Sequence, residues 1–476
     1  MDGAVGVTQQ PILPGTTFTY NFTIPMDQSG TFWYHAHAGL SRADGLYGGL
    51  IVHAPAPKST VRGLMARADD YKQDGYTKDL LLLVGDWYHR PADQIYAWYM
   101  RAGSFGNEPV PDSLLVNGRG QFDCSMAAPA RPVDCTGQKM DLSFLDTQHS
   151  TSRIRIVNTG SLAGFTLEFQ DRDFKLVQVD SVDVVPQDSN SAGILYPGQR
   201  MDILLRPSNR EQADSMTIHL DKECFRYPNP VLTSVQTFPI SSNPNSNPLD
   251  HSYSSSSPYT SISLSEVATA PSLLSALPDK AEQTHVVYTK IEKLSRNHNI
   301  PYGFFNRTSW KPQTGNPLIQ LPQEQWDENQ LVMSTGPSIS PPGPDNATWV
   351  DLVVNNLDDN GHPFHLHGHH FYILNVYQPP IGWGAYNPFT DAYPPGLPPP
   401  RTSTASSSTE PDTDTDTNIP NTPYDLTRAQ LRDTVHIPRR GYAVLRFRAD
   451  NPGVWLFHCH ILWHSASGMA MLVHVK

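Results

Sequence analysis

The chain has 476 residues, a formal net charge of -12 and only 17% charged residues. That acidic balance argues against a nucleic-acid partner, which calls for a basic face, and no apolar run approaches the roughly 18 residues needed to span a membrane. The length suits roughly two to four domains. With 43 prolines, and short β-branched and aromatic runs set between Pro, Gly, Asn and Asp, the fold class expected is all-β, built from tandem β-sandwich domains.

In chain order, residues 1–57 read as strands and turns. Residues 17–24 (TFTYNFTI) alternate, Ser29-Gly30 turns, a strand follows through Trp33-Tyr34-His35-Ala36-His37, and residues 49–53 close the unit. This is about half of a sandwich domain, since such domains run to ~100 residues. No basic stretch followed by an apolar run opens the chain, so no signal peptide is read there. Residues 58–240 are expected to hold a surface connection (58 to about 78) and then a second β-rich domain. Its strand candidates include residues 80–87, 113–118, 153–158 and 197–205, and no cluster of metal ligands, so spacing and packing are its expected roles. Residues 241–283, rich in Ser, Asn and Pro, read as a linker. Residues 284–476 form the third domain, interrupted at 395–424 by a low-complexity insertion with almost no large apolar residues.

Chemistry concentrates in three stretches. Residues 453–469 read GVWLFHCHILWHSASGM. In a strand, successive side chains face opposite ways, so Cys459 points to one side while His458 and His460 point to the other. One strand then serves a thiolate site and an imidazole site. His464 and Met469 follow at spacings that let the chain turn back beside Cys459. A Cys, two His and a weak Met form the ligand set of a blue-copper centre. The second stretch, GHPFHLHGHH at 361–370, holds His362, His365, His367, His369 and His370, five of the 19 histidines in the chain. The third holds His35 and His37.

An internal repeat relates two of these stretches. Residues 30–37 (GTFWYHAH) align without gaps on 453–460 (GVWLFHCH), and downstream residues 50–53 match 471–474. Where the last copy has Cys459, His464 and Met469, the first has Ala36, Ser41 and Leu46. One thiolate site per chain is therefore expected, together with a histidine site assembled between two domains.

Of the remaining cysteines, Cys124 and Cys135 are placed to pair in a secreted protein, or to stay as free thiols. Cys224 has no evident partner. Glycosylation triplets stand at Asn21, Asn306 and Asn346.

The motifs WYHAH, HPFHLHGH and HCHILWHSASGM resemble those of multicopper oxidases of the laccase and ascorbate-oxidase type, most closely the fungal branch, over nearly the whole chain. The resemblance implies three cupredoxin-like Greek-key domains, the first incomplete, and copper at type 1, type 2 and type 3 sites. Carried over by motif, Cys459, His362 and His464 bind type 1 copper with Met469 axial. His365 binds type 2 copper, and His35, His37, His367, His458 and His460 bind the type 3 pair. Electrons from a reductant pass from Cys459 through His458 and His460 to a cluster that reduces dioxygen to water. Asp44 matches an acid that assists proton delivery. Glu108, in GNEPVP, resembles the glutamate by which yeast-type ferroxidases engage ferrous iron.

Two further ligands are expected from a His-X-His-Gly segment that, in the family, lies just before the residues matching Met1-Asp2-Gly3. On this reading the chain is an N-terminally truncated form carrying eight of the copper-binding histidines, and the full-length protein is a secreted glycoprotein. Gln10 stands where relatives often have a cysteine, which leaves Cys224 unpaired, and Leu462 stands where many carry an acid. The expected activity is the oxidation of phenolic or other aromatic reductants. Ferrous iron and ascorbate are the alternatives. If the two further histidines are absent, the alternative is a copper-binding electron carrier without catalysis.

Overall fold

The computed structural model describes residues 2–54, 75–129, 133–136, 145, 150–170, 172–207, 215–240, 260–336, 347–397 and 423–476. These residues are mostly β. A two-stranded sheet pairs Gly30–His35 with Tyr47–Val52. A five-stranded and a seven-stranded sheet make up the middle of the chain, and a six-stranded and a five-stranded sheet make up the last third.

The repeat is realised as two equivalent antiparallel hairpins. Gly30 pairs with Val52, and Gly453 pairs with Val475. The structural equivalent of Val52 is thus Val475, two residues beyond the match to Val473 read from the sequence. A shift of two keeps every side chain on its face, because strand side chains repeat with period two.

The middle domain closes on its own core of Leu82, Ile154, Phe165, Phe174, Ile203, Met216 and Phe238. Its boundary differs from the sequence expectation. Residues 241–259 of the expected linker lie outside the described residues, but Ile262–Ser263 is a strand pairing in parallel with Ser191–Leu195. Leu264 and Val267 are buried in the same core. Two or three apolar side chains suffice to pull a polar stretch onto a sheet edge. Most of the expected insertion, 398–422, and most of the connection after residue 57, through 74, also lie outside the described residues.

One element of the middle domain belongs energetically to the last. Helix Ala92–Tyr99 buries Ala92, Ile95 and Tyr99, a stripe at helical spacing. These side chains join the core that also holds Phe364, Leu445, Phe457, Cys459, Trp463 and Met469. The helix is followed by residues 102–109, so this packing carries Glu108 to the edge of the last domain.

Candidate metal centres

Strand Gly453–Cys459 lies between His362–Leu366 and Ala470–Val475. Its register sets the chemistry, with Phe364 opposite Cys459 and His365 opposite His458. Directly opposed residues share a face, so the thiol lies on the apolar side with Phe364 and the imidazoles lie together on the other side.

On the thiol side, the short helix Leu462–Ala466 turns the chain back and delivers His464 to the sulfur. Cys459 Sγ is 3.7 Å from His464 Nδ1 and 3.8 Å from His362 Nδ1, and the two nitrogens are 3.0 Å apart. A single ion with ligand bonds of about 2.0–2.3 Å needs donor atoms about 3–4 Å apart, and this triangle meets that requirement. All three residues are fully buried. Met469 is buried beside them, its carbonyl accepting from Cys459 N at 3.0 Å.

The electrostatics favour a thiolate. Burial raises the Cys459 pKa, but hydrogen bonds and charge from His362 and His464 outweigh it and bring it down to about 7. Burial likewise opposes charge on His464, yet Cys459 and Glu108 push its pKa up to about 10. His362 is raised as well, with Asp358 and Cys459 overcoming its burial.

On the other face the three sequence clusters converge. His37, His367 and His458 place their ring nitrogens within 4.8 Å of one another, and His367 Nε2 is 3.2 Å from His458 Nε2. Ring centroids lie 5.1 Å apart for His35 and His37, 5.2 Å for His35 and His460, 5.1 Å for His365 and His367, and 5.9 Å for His365 and His460. His37 Nε2 is buried without a hydrogen-bond partner. Burial, then neighbouring imidazoles, holds His35, His37, His458 and His460 well below the ordinary histidine pKa, and the charge of Arg42 adds to this at His35, His37 and His460. Neutral rings keep a lone pair for a metal. The donor sets on both faces therefore fit copper, the thiolate with two imidazoles on one side and imidazoles alone on the other.

The surroundings include residues that sequence reasoning passed over. Arg42 is buried, with Nη1 2.6 Å from His460 Nδ1 and Nη2 donating to His460 O at 2.8 Å. Asp2 Oδ2 accepts from His367 Nδ1 at 2.6 Å. Burial raises the Asp2 pKa, but the hydrogen bond and charge of His367, with further bonds from Thr8 and Ala4, hold it far below the usual carboxylate range. Asp358 Oδ2 lies 3.4 Å from His362 Nε2, and its place four residues before that histidine was the available signal. Glu108, singled out by its motif, has Oε1 2.9 Å from His464 Nε2. Asp44 is placed differently. Its Oδ1 accepts from Ala92 N at 2.9 Å, and no hydrogen bond or ion pair ties it to the imidazoles among the described residues. An exposed carboxylate at the start of a helix finds the free N–H groups there.

Cys124 and Cys135 form a disulfide, whereas Cys224 is a free thiol.

The layered sheets, with one strand carrying a buried thiolate centre and an imidazole cluster on its two faces, define a cupredoxin-type copper protein. Three sequence models, each described as multicopper oxidase, match residues 1–57, 78–225 and 307–476. The chain belongs to the multicopper oxidase family. It is 28% identical over 482 residues to the iron transport multicopper oxidase FET5 of Saccharomyces cerevisiae, covering 99% of this chain and 67% of that protein. Laccase-2 of Cryptococcus neoformans var. grubii is 27% identical over 495 residues, covering 100% of this chain and 73% of that one. Among the first relatives the chain spans about two thirds of their length, at 67%, 64% and 64%. The crystal structure of Fet3p, a multicopper oxidase that functions in iron import, superposes with a TM-score of 0.72 at 22% identity, covering all of this chain and 77% of that one. The laccase from Botrytis aclada gives 0.71 at 24%, with coverage of 100% and 75%. At these identities the two structures establish the fold.

Proposed function

We propose that the protein is an oxidase that couples one-electron oxidation of a phenolic or other aromatic reductant to the reduction of dioxygen. When bound, copper would supply the redox chemistry, taking single electrons from the reductant and giving four, with four protons, to dioxygen to make two waters. Cys459, His362 and His464, with Met469 beside them, would hold it on one face. His35, His37, His365, His367, His458 and His460 would hold it on the other.

The observation that carries this reading is the placement of Cys459 between His458 and His460 on one strand, with Phe364 and His365 opposite in register. Covalent bonds of one strand join the two centres, with His458 Nδ1 also 2.9 Å from Cys459 O, so an electron entering at the thiolate has a short fixed route to the imidazoles. Burial of Cys459 and His464 excludes water from the first centre. Asp2 and the buried Arg42 fix His367 and His460, holding these rings in one orientation.

To the reductant side we assign two exposed aromatic rings, one close in sequence to a carboxylate and one linked to a carboxylate through an arginine. Phe105 is 69% exposed in a left-handed backbone conformation, three residues before Glu108. Trp383 is 55% exposed and lies over the Arg440 guanidinium at 4.7 Å. Arg440 pairs with Asp359 at 2.6 Å, and the adjacent Asn360 donates to Glu108 Oε1 at 3.0 Å. A ring can lie against these aromatic faces while its hydroxyl proton goes to a carboxylate.

A second reading, ferrous iron as reductant, is favoured by one observation. The outer nitrogens of both His464 and His362 carry carboxylates, Glu108 and Asp358, and carboxylates suit a hard cation. Several relatives are named iron transport multicopper oxidases. Export from the cell is part of the proposal, supported by the Cys124–Cys135 disulfide and by the exposed Asn21 and Asn306 triplets.

The test is copper analysis with oxygen uptake on a diphenol, ferrous iron and ascorbate. Oxygen consumption on a diphenol with both kinds of copper present supports the oxidase. Copper at the thiolate alone, with blue colour and no oxygen uptake, would replace it with an electron carrier.

A further inference from the structure

The middle domain contributes no residue to either metal-ligand group among the described residues, yet its Arg200 reaches all three parts of the chain. The side chain is 3% exposed. Nε donates to Thr31 O at 2.9 Å, on the strand leading to His35 and His37. Nη1 and Nη2 each lie 2.7 Å from Asp433, one on each carboxylate oxygen. Nη1 also reaches Gly198 O at 3.3 Å, and Nη2 reaches Ser181 Oγ at 3.3 Å. Ser181 and Asp180 both have positive φ, at 65° and 51°, in the hairpin turn that docks on this strand. Ser181 Oγ donates to Thr31 O at 2.6 Å. At Gly30 a Cβ would fall 2.7 Å from that of Ser181, so the glycine permits the close approach.

Asp433 leads to the imidazole cluster. His365 Nδ1 lies 2.8 Å from Asp433 O and 3.1 Å from Thr434 Oγ1. The Thr434 hydroxyl donates to Asp433 Oδ1 at 2.9 Å, so it offers His365 a lone pair. Two acceptors facing Nδ1 require that nitrogen to carry the proton, which leaves the Nε2 lone pair for a ligand.

We propose that Arg200 is a positioning residue for His365. By clamping the Asp433 carboxylate it fixes the carbonyl that selects the ring's tautomer, and by gripping Thr31 it ties that choice to the strand that brings His35 and His37. The inference rests on the oxidase reading for its meaning, but its deciding readout, the His365 tautomer, is taken on the metal-free chain and needs no turnover.

The test is nitrogen NMR of the metal-free chain labelled at histidine, with His365 assigned through an H365N variant. In the wild type, His365 is expected as a single Nδ1-protonated tautomer, and R200K is expected to retain it. R200M alone would strand a buried carboxylate and could fail to fold, so R200M is paired with D433L, which removes that charge. In the double variant the His365 tautomers should interconvert. Added copper(II) should then bind the imidazole cluster about 10- to 100-fold more weakly, the usual loss when an outer partner of a ligand is removed, with affinity at Cys459 unchanged. A wild-type His365 that is Nε2-protonated or mixed, or a double variant that keeps the Nδ1 tautomer, overturns the proposal. Absence of oxygen uptake would instead overturn the oxidase reading and leave this result standing.

Discussion

Glu108 Oε1 sits 2.9 Å from His464 Nε2, so a carboxylate of the middle domain rests on the outer face of an imidazole whose inner nitrogen faces Cys459. Both Asn360 and His464 engage Oε1. Replacement of Glu108 by Gln keeps the shape and removes the charge. If ferrous iron is the reductant, E108Q should lower kcat/KM for iron by about tenfold or more, the size of one lost charge-assisted contact, with a smaller effect on an uncharged phenol. Steady-state kinetics on both reductants decides. An equal loss on both would place Glu108 in support of His464 rather than in iron recognition.

The exposed rings make a separate prediction. Phe105 and Trp383 touch neither metal-ligand group, so F105A and W383A should leave kcat on a diphenol unchanged. Each should raise KM about 3- to 10-fold, the range of one aromatic contact. Unchanged KM in both variants would remove these rings from the docking surface.

Cys459 to Ser exchanges a soft donor for a hard one without a large cavity. C459S should lose the intense visible absorption of the thiolate centre and one equivalent of copper. The imidazole cluster on the opposite face should keep its metal. Copper analysis with absorption spectroscopy measures this, and loss of metal from both faces would mean that the two sites are not independently built.

His436 provides a pH test. Its ring stacks on Tyr196 at 3.7 Å, across the seam between the middle and last domains. Burial, with a smaller contribution from the charge of His362, pushes its pKa down to about 3. An unfolded histidine titrates near 6.5, so between these values the unfolded chain binds a proton that the folded chain refuses. The stability contribution is complete above about pH 6.5 and is lost as pH falls toward 3. H436F retains the stack and removes the titration. It should lose less stability than the wild type between pH 7 and pH 5 in denaturant unfolding, and identical slopes would exclude His436 as a source of acid sensitivity.

What could be read before folding was considered depended on period and composition. Alternation in a strand determines that Cys459 opposes His458 and His460, whatever the rest of the chain does, and the gapless match of 30–37 to 453–460 already suggested two copies of one sandwich domain. Those are local properties of the backbone. Arg42, Asp2, Asp433 and Arg200 escaped notice because charged residues are common and their roles arise only when distant segments meet. Arg200 and Asp433 stand 233 positions apart and touch through both oxygens. Asp44 shows the converse, since the carboxylate expected beside the imidazoles is bonded to a helix end instead. The sequence by itself determined which atoms are chemically able to hold copper, because that follows from side-chain type and strand period. Only the tertiary structure decided which charges steady those atoms, because burial makes each buried charge seek a partner, and proximity in the fold determines which one it finds.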